Sequence, residues 1–228
     1  MKVSGEQLAG EFESGIDPKL VNWLAAQIQP LVDQGTQIVI MVGGGNFLRG
    51  AQLAGHGIKR VTADQMGMLG TMMNALAVTD IFEATGIKTR CLTNIFAEQV
   101  AEPFVHRLAN KHLENGRVVV VGGGSGRPYV TTDTAALIMA LELGCDAVLK
   151  ATKVDGVYDK DPQNNADAVR YDTLTFKQAV ENGDVRVMDQ AALGLAMDYK
   201  KPIVVYDFKQ DGALQRIVAG EAIGTKIS

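Results

Sequence analysis

The stretches Ile38-Val39-Ile40-Met41-Val42-Gly43-Gly44-Gly45-Asn46 and Val118-Val119-Val120-Val121-Gly122-Gly123-Gly124-Ser125-Gly126 share one pattern: an apolar, β-prone run ending in consecutive glycines. Such a loop has no Cβ atoms to hold a ligand away. Successive backbone N–H groups can converge on an anion, and a following helix adds the positive end of its dipole. Two such loops in one chain imply two phosphorylated ligands. If both strands run parallel in one sheet, both loops emerge at its carboxyl edge, where open α/β sheets bind ligands and a donor can face an acceptor. For one loop alone, a tight turn or close packing explains the glycines equally well. Two loops, with Arg49 and Arg127 close behind them, favour phosphate.

Outward from these loops the chain alternates. A helix opens at Asp17-Pro18 and carries Leu20, Val21, Leu24, Ile28, Leu31 and Val32 on one face as far as Gly35. A long helix is expected from near Thr62, whose spacing to Gln65 is that of a capping box, to near Gly86. Its Met66, Leu69, Met73, Leu76 and Ala77 recur at helical spacing and read as flexible core filler rather than metal or redox ligands. A strand near 88–93, a helix near 103–114 and a helix from about Thr132 to Leu143 follow, the last stopped by Gly144. Then come a strand at Asp146–Lys150, a polar stretch at 153–172 with turn-forming Asp-Gly and Asp-Pro pairs, and helices near 175–182 and 189–199. Strand Ile203–Tyr206, a helix near 212–219 and a tail around Thr225–Ile227 close the chain. This alternation argues for an α/β fold with a mostly parallel sheet and helices on both faces.

Composition narrows the function. A length of 228 residues with no proline-, serine- or charge-rich divider reads as one core and a single domain over 1–228. No apolar run approaches the ~18 residues of a membrane span, and the N-terminus does not look like a signal peptide. The net charge of −4 argues against the general attraction that nucleic-acid binders use. Cys91 and Cys145 lack CxxC spacing and read as core thiols of a reducing cytoplasm, while His56, His106 and His112 form no ligand cluster.

Neither GxxxxGK[ST] nor a full GxGxxG is present, which excludes an ordinary P-loop enzyme and disfavours a dinucleotide binder, although Asp64 lies where a ribose-binding acid would sit. Asp133, just inside a helix, can simply favour the helix dipole, and Asp189 can be only a cap. Acids near a phosphate edge also suit metal-bound nucleotide.

Lys2-Val3-Ser4-Gly5-Glu6, Gly43-Gly44-Gly45-Asn46-Phe47-Leu48-Arg49-Gly50, Asp64-Gln65-Met66-Gly67-Met68, Ser125-Gly126-Arg127-Pro128-Tyr129-Val130-Thr131-Thr132-Asp133, Lys150-Ala151-Thr152-Lys153-Val154-Asp155-Gly156-Val157-Tyr158 and Val187-Met188-Asp189 occur in one order over nearly the whole chain. Through them the chain resembles the bacterial UMP kinases (uridylate kinases) of the amino-acid kinase superfamily. The resemblance implies a three-layer α/β/α sandwich and transfer of the γ-phosphoryl group of Mg-ATP to UMP, in pyrimidine nucleotide biosynthesis. It assigns Lys2, Val3, Ser4, Gly5, Gly45 and Arg49 to the ATP phosphates, and Thr152, Tyr158 and Asp161 to the adenosine side. Gly44, Asp64, Ser125, Gly126, Arg127, Pro128, Tyr129, Val130, Thr131 and Thr132 would hold UMP. Lys2, Arg49, Asp133 and Asp189 would be catalytic, with Mg2+ held mainly through the ATP phosphates rather than by protein ligands.

The resemblance further implies a cytoplasmic homohexamer with GTP and UTP as effectors, and neither a nucleic-acid nor a membrane partner. Another small-molecule kinase of the superfamily, or a non-catalytic nucleotide-binding regulatory protein, are the alternatives. The family has residues before this lysine, whereas here only Met1 precedes Lys2, so strand one reads as truncated unless Met1 is the natural start. Ser125 and Arg127 stand where many relatives have threonine and asparagine, which leaves the loop's backbone chemistry intact.

Overall fold

The computed structural model describes residues 1–12, 14–48, 57–162, 164–181 and 188–228. The expected phosphate ligand Arg49, with Gly50 and Val187 of the quoted motifs, lies outside the described residues. The chain forms two compact units, Met1–Thr132 and Asp133–Ser228.

The first unit contains β1 (Lys2–Val3), α1 (Gly5–Leu8), α2 (Pro18–Asp33), β2 (Val39–Val42), α3 (Arg60–Ala84), β3 (Thr89–Thr93), β4 (Glu102–Pro103), α4 (His106–Glu114) and β5 (Val118–Gly122). Its strands run in the order β4-β3-β5-β2-β1, every pair parallel. All residues of β2 and β5 are buried, as expected for parallel strands covered on both faces. Asp17 starts α2 by accepting from the Lys19 N–H at 2.9 Å, with Pro18 pre-set in the first turn.

Three sequence expectations shift here. The helix α3 begins at Arg60 after an extended Lys59, so Thr62 is already inside its first turn and is not the cap. The helix expected from 103 starts at His106, because Glu102 and Pro103 pair with Leu92 and Thr93 as an edge strand, where proline's missing N–H is tolerated. The methionine stripe is also rotated. Met68, Met72, Ala75 and Val78 face the core and α3 packs on β3 and β5, whereas Leu69 and Met73 are 56% and 50% exposed. Gly70, Thr71 and Asn74 share the buried side.

The second unit takes nearly all of α5 (Thr132–Glu142), then β6 (Val148–Thr152), β7 (Val157–Tyr158), β8 (Arg170–Tyr171), β9 (Thr173–Leu174), α6 (Phe176–Glu181), α7 (Gln190–Asp198), β10 (Ile203–Asp207), α8 (Ala213–Val218) and β11 (Thr225–Ile227). Its strands run β6-β10-β11-β9, with β10 parallel to β6, antiparallel to β11, and β11 parallel to β9. The register Val148↔Ile203 moves β6 two residues beyond the expected start, leaving Asp146 outside the ladder. Leu137, Val148, Leu193, Ile203, Val205 and Ile227 form its core. The stretch 153–172 is less irregular than expected, since β7 and β8 pair antiparallel within it.

Among the described residues no helix is long and apolar enough to cross a membrane. Cys91 is buried and free, and burial pushes its thiol up to about 11, which keeps it in the unreactive form.

Candidate functional site

The β2–β5 register, Ile40↔Val120, is parallel, so the two glycine loops leave the same carboxyl edge of adjacent strands. This is the arrangement expected from the sequence.

The first loop is held tightly. The Gly43 N–H donates to the Val3 carbonyl at 2.8 Å. Asn46 and Asn74 exchange amide hydrogen bonds at 2.9 and 2.7 Å, and the Asn74 amide also donates to the Gly43 carbonyl at 2.6 Å. Asn74 therefore clamps the loop to α3. A Cβ on Gly5 would strike Asn46 and come within 2.7 Å of Gly45 N, so Val3 and Gly5 serve the site through close backbone packing.

Gly44 and Gly45 differ in a testable way. A Cβ at Gly44 would sit 2.6 Å from the Gly67 carbonyl oxygen and 3.0 Å from Thr71 N, whereas one at Gly45 meets nothing nearer than the Glu6 side chain at 3.5 Å. Gly44→Ala should destabilise the protein by about 1–3 kcal/mol through backbone overpacking. Gly45→Ala should stay within about 0.5 kcal/mol of wild type. Denaturant midpoints of the two variants check this, and a Gly44→Ala midpoint equal to wild type would contradict the close loop–helix packing.

The second loop is shaped by its own contacts. Gly123 and Gly126 take left-handed φ values of +79° and +71°. The Gly123 N–H donates to Thr71 Oγ1 at 2.7 Å, while that hydroxyl donates to the Met68 carbonyl at 2.6 Å. The Asn94 amide donates to the Gly124 carbonyl, and the Arg127 N–H donates to Ser125 Oγ at 3.2 Å.

Between the loops and α3 lies a cleft of about 150 Å³, bordered by Gly44, Gly45, Asp64, Gly124, Ser125 and Thr132, with Leu48, Met68 and Val130 on its apolar side. Gly126, Arg127, Pro128, Tyr129 and Thr131 do not line it. Tyr129 reaches the cleft through its backbone, whose N–H donates to Asp64 Oδ2 at 2.8 Å. Asp64 Oδ1 accepts from Arg60 Nε, also at 2.8 Å. Partial burial pushes the Asp64 carboxyl up, but the Arg60 hydrogen bond, the Tyr129 N–H and the Arg60 charge outweigh it and hold the group below the usual carboxylate range. The stability this contributes is present above the ordinary carboxylate pKa and is lost as pH falls through the lowered value. Lys2, buried to 7% exposure, donates from Nζ to Ser4 Oγ at 3.0 Å at the end of β1.

In the second unit, Lys150 Nζ donates to Asp133 Oδ2 at 2.6 Å, with both side chains 14% exposed. Asp189 caps α7, accepting from the Ala192 N–H at 2.9 Å, and also accepts from Thr134 Oγ1 at 2.6 Å. Of the expected adenosine residues, Thr152 Oγ1 donates to the Val154 carbonyl and accepts from the Val154 N–H. The Tyr158 hydroxyl donates to Asp155 Oδ1, which pushes the phenol pKa up. Asp161 accepts from Asn164 at 2.6 Å.

Sequence reasoning passed over Arg60, Thr71, Asn74, Asn94 and Thr134. Arg60 had a readable signal, its i,i+4 spacing to Asp64 on a helix. Thr71, Asn74 and Asn94 had none, because each of them bonds backbone atoms of a glycine loop 30 to 52 residues distant in sequence.

The model of the amino acid kinase family matches residues 1–207. A uridylate kinase of Xanthomonas oryzae pv. oryzae is 48% identical over 227 residues, covering 100% of this chain and 94% of the relative. The crystal structure of UMP kinase from Bacillus anthracis superposes with a TM-score of 0.95 at 40% identity, covering 100% of this chain and 93% of that one. UMP kinase from Ureaplasma parvum gives 0.92 at 31% identity, covering 100% and 96%. The chain belongs to the amino acid kinase family.

Proposed function

We propose that this chain is a UMP kinase, one domain over 1–228, that transfers the γ-phosphoryl group of ATP to UMP to give UDP and ADP. The observation that carries the reading is the pair of glycine loops on one sheet edge around a cleft containing Asp64, in a chain 48% identical to a uridylate kinase. An oxygen of the UMP phosphate attacks the γ-phosphorus of ATP as the bond to the β,γ-bridging oxygen breaks, and ADP leaves with that electron pair. The attacking oxygen is already anionic near neutral pH, so positioning and charge neutralisation supply the acceleration without a strong base.

In the first unit, Gly44, Asp64 and the stretch Ser125–Thr132 hold UMP. Backbone N–H groups of the second loop receive its phosphate, and Asp64 orients the nucleotide. Lys2 to Gly5, Gly45 and Arg49 serve the ATP phosphates, Lys2 and Arg49 countering charge on the moving oxygens. In the second unit, Thr152, Tyr158 and Asp161 serve adenosine, while Asp133 and Asp189 orient the catalytic groups.

Mg2+ fits this donor set: carboxylates are the hard oxygen ligands it prefers, and it usually takes one or two of them plus substrate phosphates. No cluster of three or more His, Cys, Asp or Glu occurs among the described residues. When bound, the ion neutralises phosphate charge. The protein acts in the cytoplasm on pyrimidine nucleotides, as a homohexamer responsive to GTP and UTP.

Asp64→Ala tests the acceptor assignment. Loss of a charged hydrogen bond should weaken UMP binding by about 1.5–3 kcal/mol, leaving ATP binding unchanged. Calorimetric titration of each nucleotide checks it, and equal weakening of both would count against the role.

A further inference from the structure

Both carboxylate oxygens of Asp64 are engaged within the protein, Oδ1 by Arg60 Nε and Oδ2 by the Tyr129 N–H, each at 2.8 Å. The guanidinium carbon of Arg60 lies 5.3 Å from the centroid of the Tyr129 ring. The three residues therefore close a circuit: guanidinium to carboxylate, carboxylate to backbone N–H, and that residue's ring back to the guanidinium.

Tyr129 is one of only two described non-glycine residues in the left-handed region, with φ of +65°. An L residue there requires its surroundings to hold it. The residue is 68% exposed, so core packing does not supply that restraint. Asp64, fixed on α3, does so through the N–H bond. Arg60 fixes Asp64 in turn. With the Arg60 side chain 47% exposed, its ion pair to Asp64 contributes little to stability, so its significance is geometric.

We propose that Arg60 is a positioning residue of the acceptor cleft, holding Asp64 and Tyr129 together so that the second glycine loop has its binding shape before a nucleotide arrives. The proposal rests on the reading of this cleft as the UMP site. Arginine suits the task because it donates from Nε in a fixed plane and lays that plane against an aromatic ring, two contacts a lysine cannot reproduce together. Among the described residues lining the cleft, Asp64 carries the only charged side chain. The groups facing it are Arg60 on the same helix and the Tyr129 N–H from the second loop. Without Arg60, burial acts on Asp64 with less opposition.

The test uses the full chain with 15N-labelled tyrosine, which gives five backbone amide signals. The Tyr129 amide donates to Asp64, so its shift follows the ionisation of that carboxylate. In Arg60→Met the titration midpoint of this amide should rise toward the ordinary carboxylate range. The UMP KM should rise about ten-fold (~1.4 kcal/mol), with kcat and the ATP KM within about two-fold. Arg60→Lys should restore most of the midpoint and little of the KM. An unchanged midpoint in Arg60→Met overturns the circuit, and a shifted midpoint with an unchanged UMP KM overturns the positioning role. A shifted midpoint in a protein whose wild type does not phosphorylate UMP would instead overturn the acceptor reading and leave the circuit standing.

Discussion

Lys2→Met should lower turnover of UMP about 100- to 1,000-fold, the usual consequence of removing one preorganised group that neutralises transition-state charge. Lys2 is only 7% exposed and opens the short strand β1, where it pairs with Met41, and the following Val3 pairs with Val42 immediately before the first glycine loop. Methionine approximates its length and apolar stem, so the variant keeps the packing of the side chain and loses its charge. Activity should therefore fall far more than stability: kcat collapses in a protein that still melts cooperatively. Steady-state kinetics at saturating nucleotide and a melting curve test this together. A Lys2→Met enzyme with near-normal kcat would remove the lysine from the chemistry.

Asp133→Ala should be costly in a different way. It leaves the Lys150 ammonium, 14% exposed, without the carboxylate 2.6 Å away. Removing one partner of such a mostly buried pair costs about 3 kcal/mol, and at this chain length that is a fall of roughly 6–12 °C in Tm. The alternative in which Asp133 merely favours the dipole of α5 predicts a loss of no more than about 1 kcal/mol. Asp133→Ala/Lys150→Met, with both charges gone, should recover most of the stability and none of the turnover. If the double variant regains activity as well, Asp133 has a purely structural role.

The alternation of strands and helices was readable because its periodicity is strong. The runs 38–42 and 118–121 with their glycines announced two parallel strands and the edge they share. Boundaries failed where tertiary contacts overrode local signals. Pro103 reads as a helix start yet pairs as an edge strand with β3, and Thr62 looks like a cap yet lies within the first turn of α3. Leu69 and Met73 carry a helical apolar period but are exposed, because the buried side of α3 is shared with Gly70, Thr71 and Asn74, whose task is to hold the loops.

The site shows the same division. Gly44, Asp64 and Ser125 follow from motif chemistry and do border one cleft. The Arg60–Asp64–Tyr129 circuit depends on a backbone N–H 65 residues away, which no local pattern encodes. The pairing of Asp133 with Lys150 joins the first turn of α5 to a strand residue 17 positions on, which no motif announces.

The most direct measurement is ADP release by the purified protein with Mg-ATP and, in parallel, UMP, CMP, aspartate, N-acetylglutamate, carbamate and isopentenyl phosphate. Rapid ADP release is expected with UMP, matched by stoichiometric UDP, and rates at least about 100-fold lower with the others, because a site built to hydrogen-bond one substrate rejects analogues that leave its polar groups unpaired. Faster turnover of any other acceptor, or nucleotide binding with no turnover of UMP, would contradict this expectation.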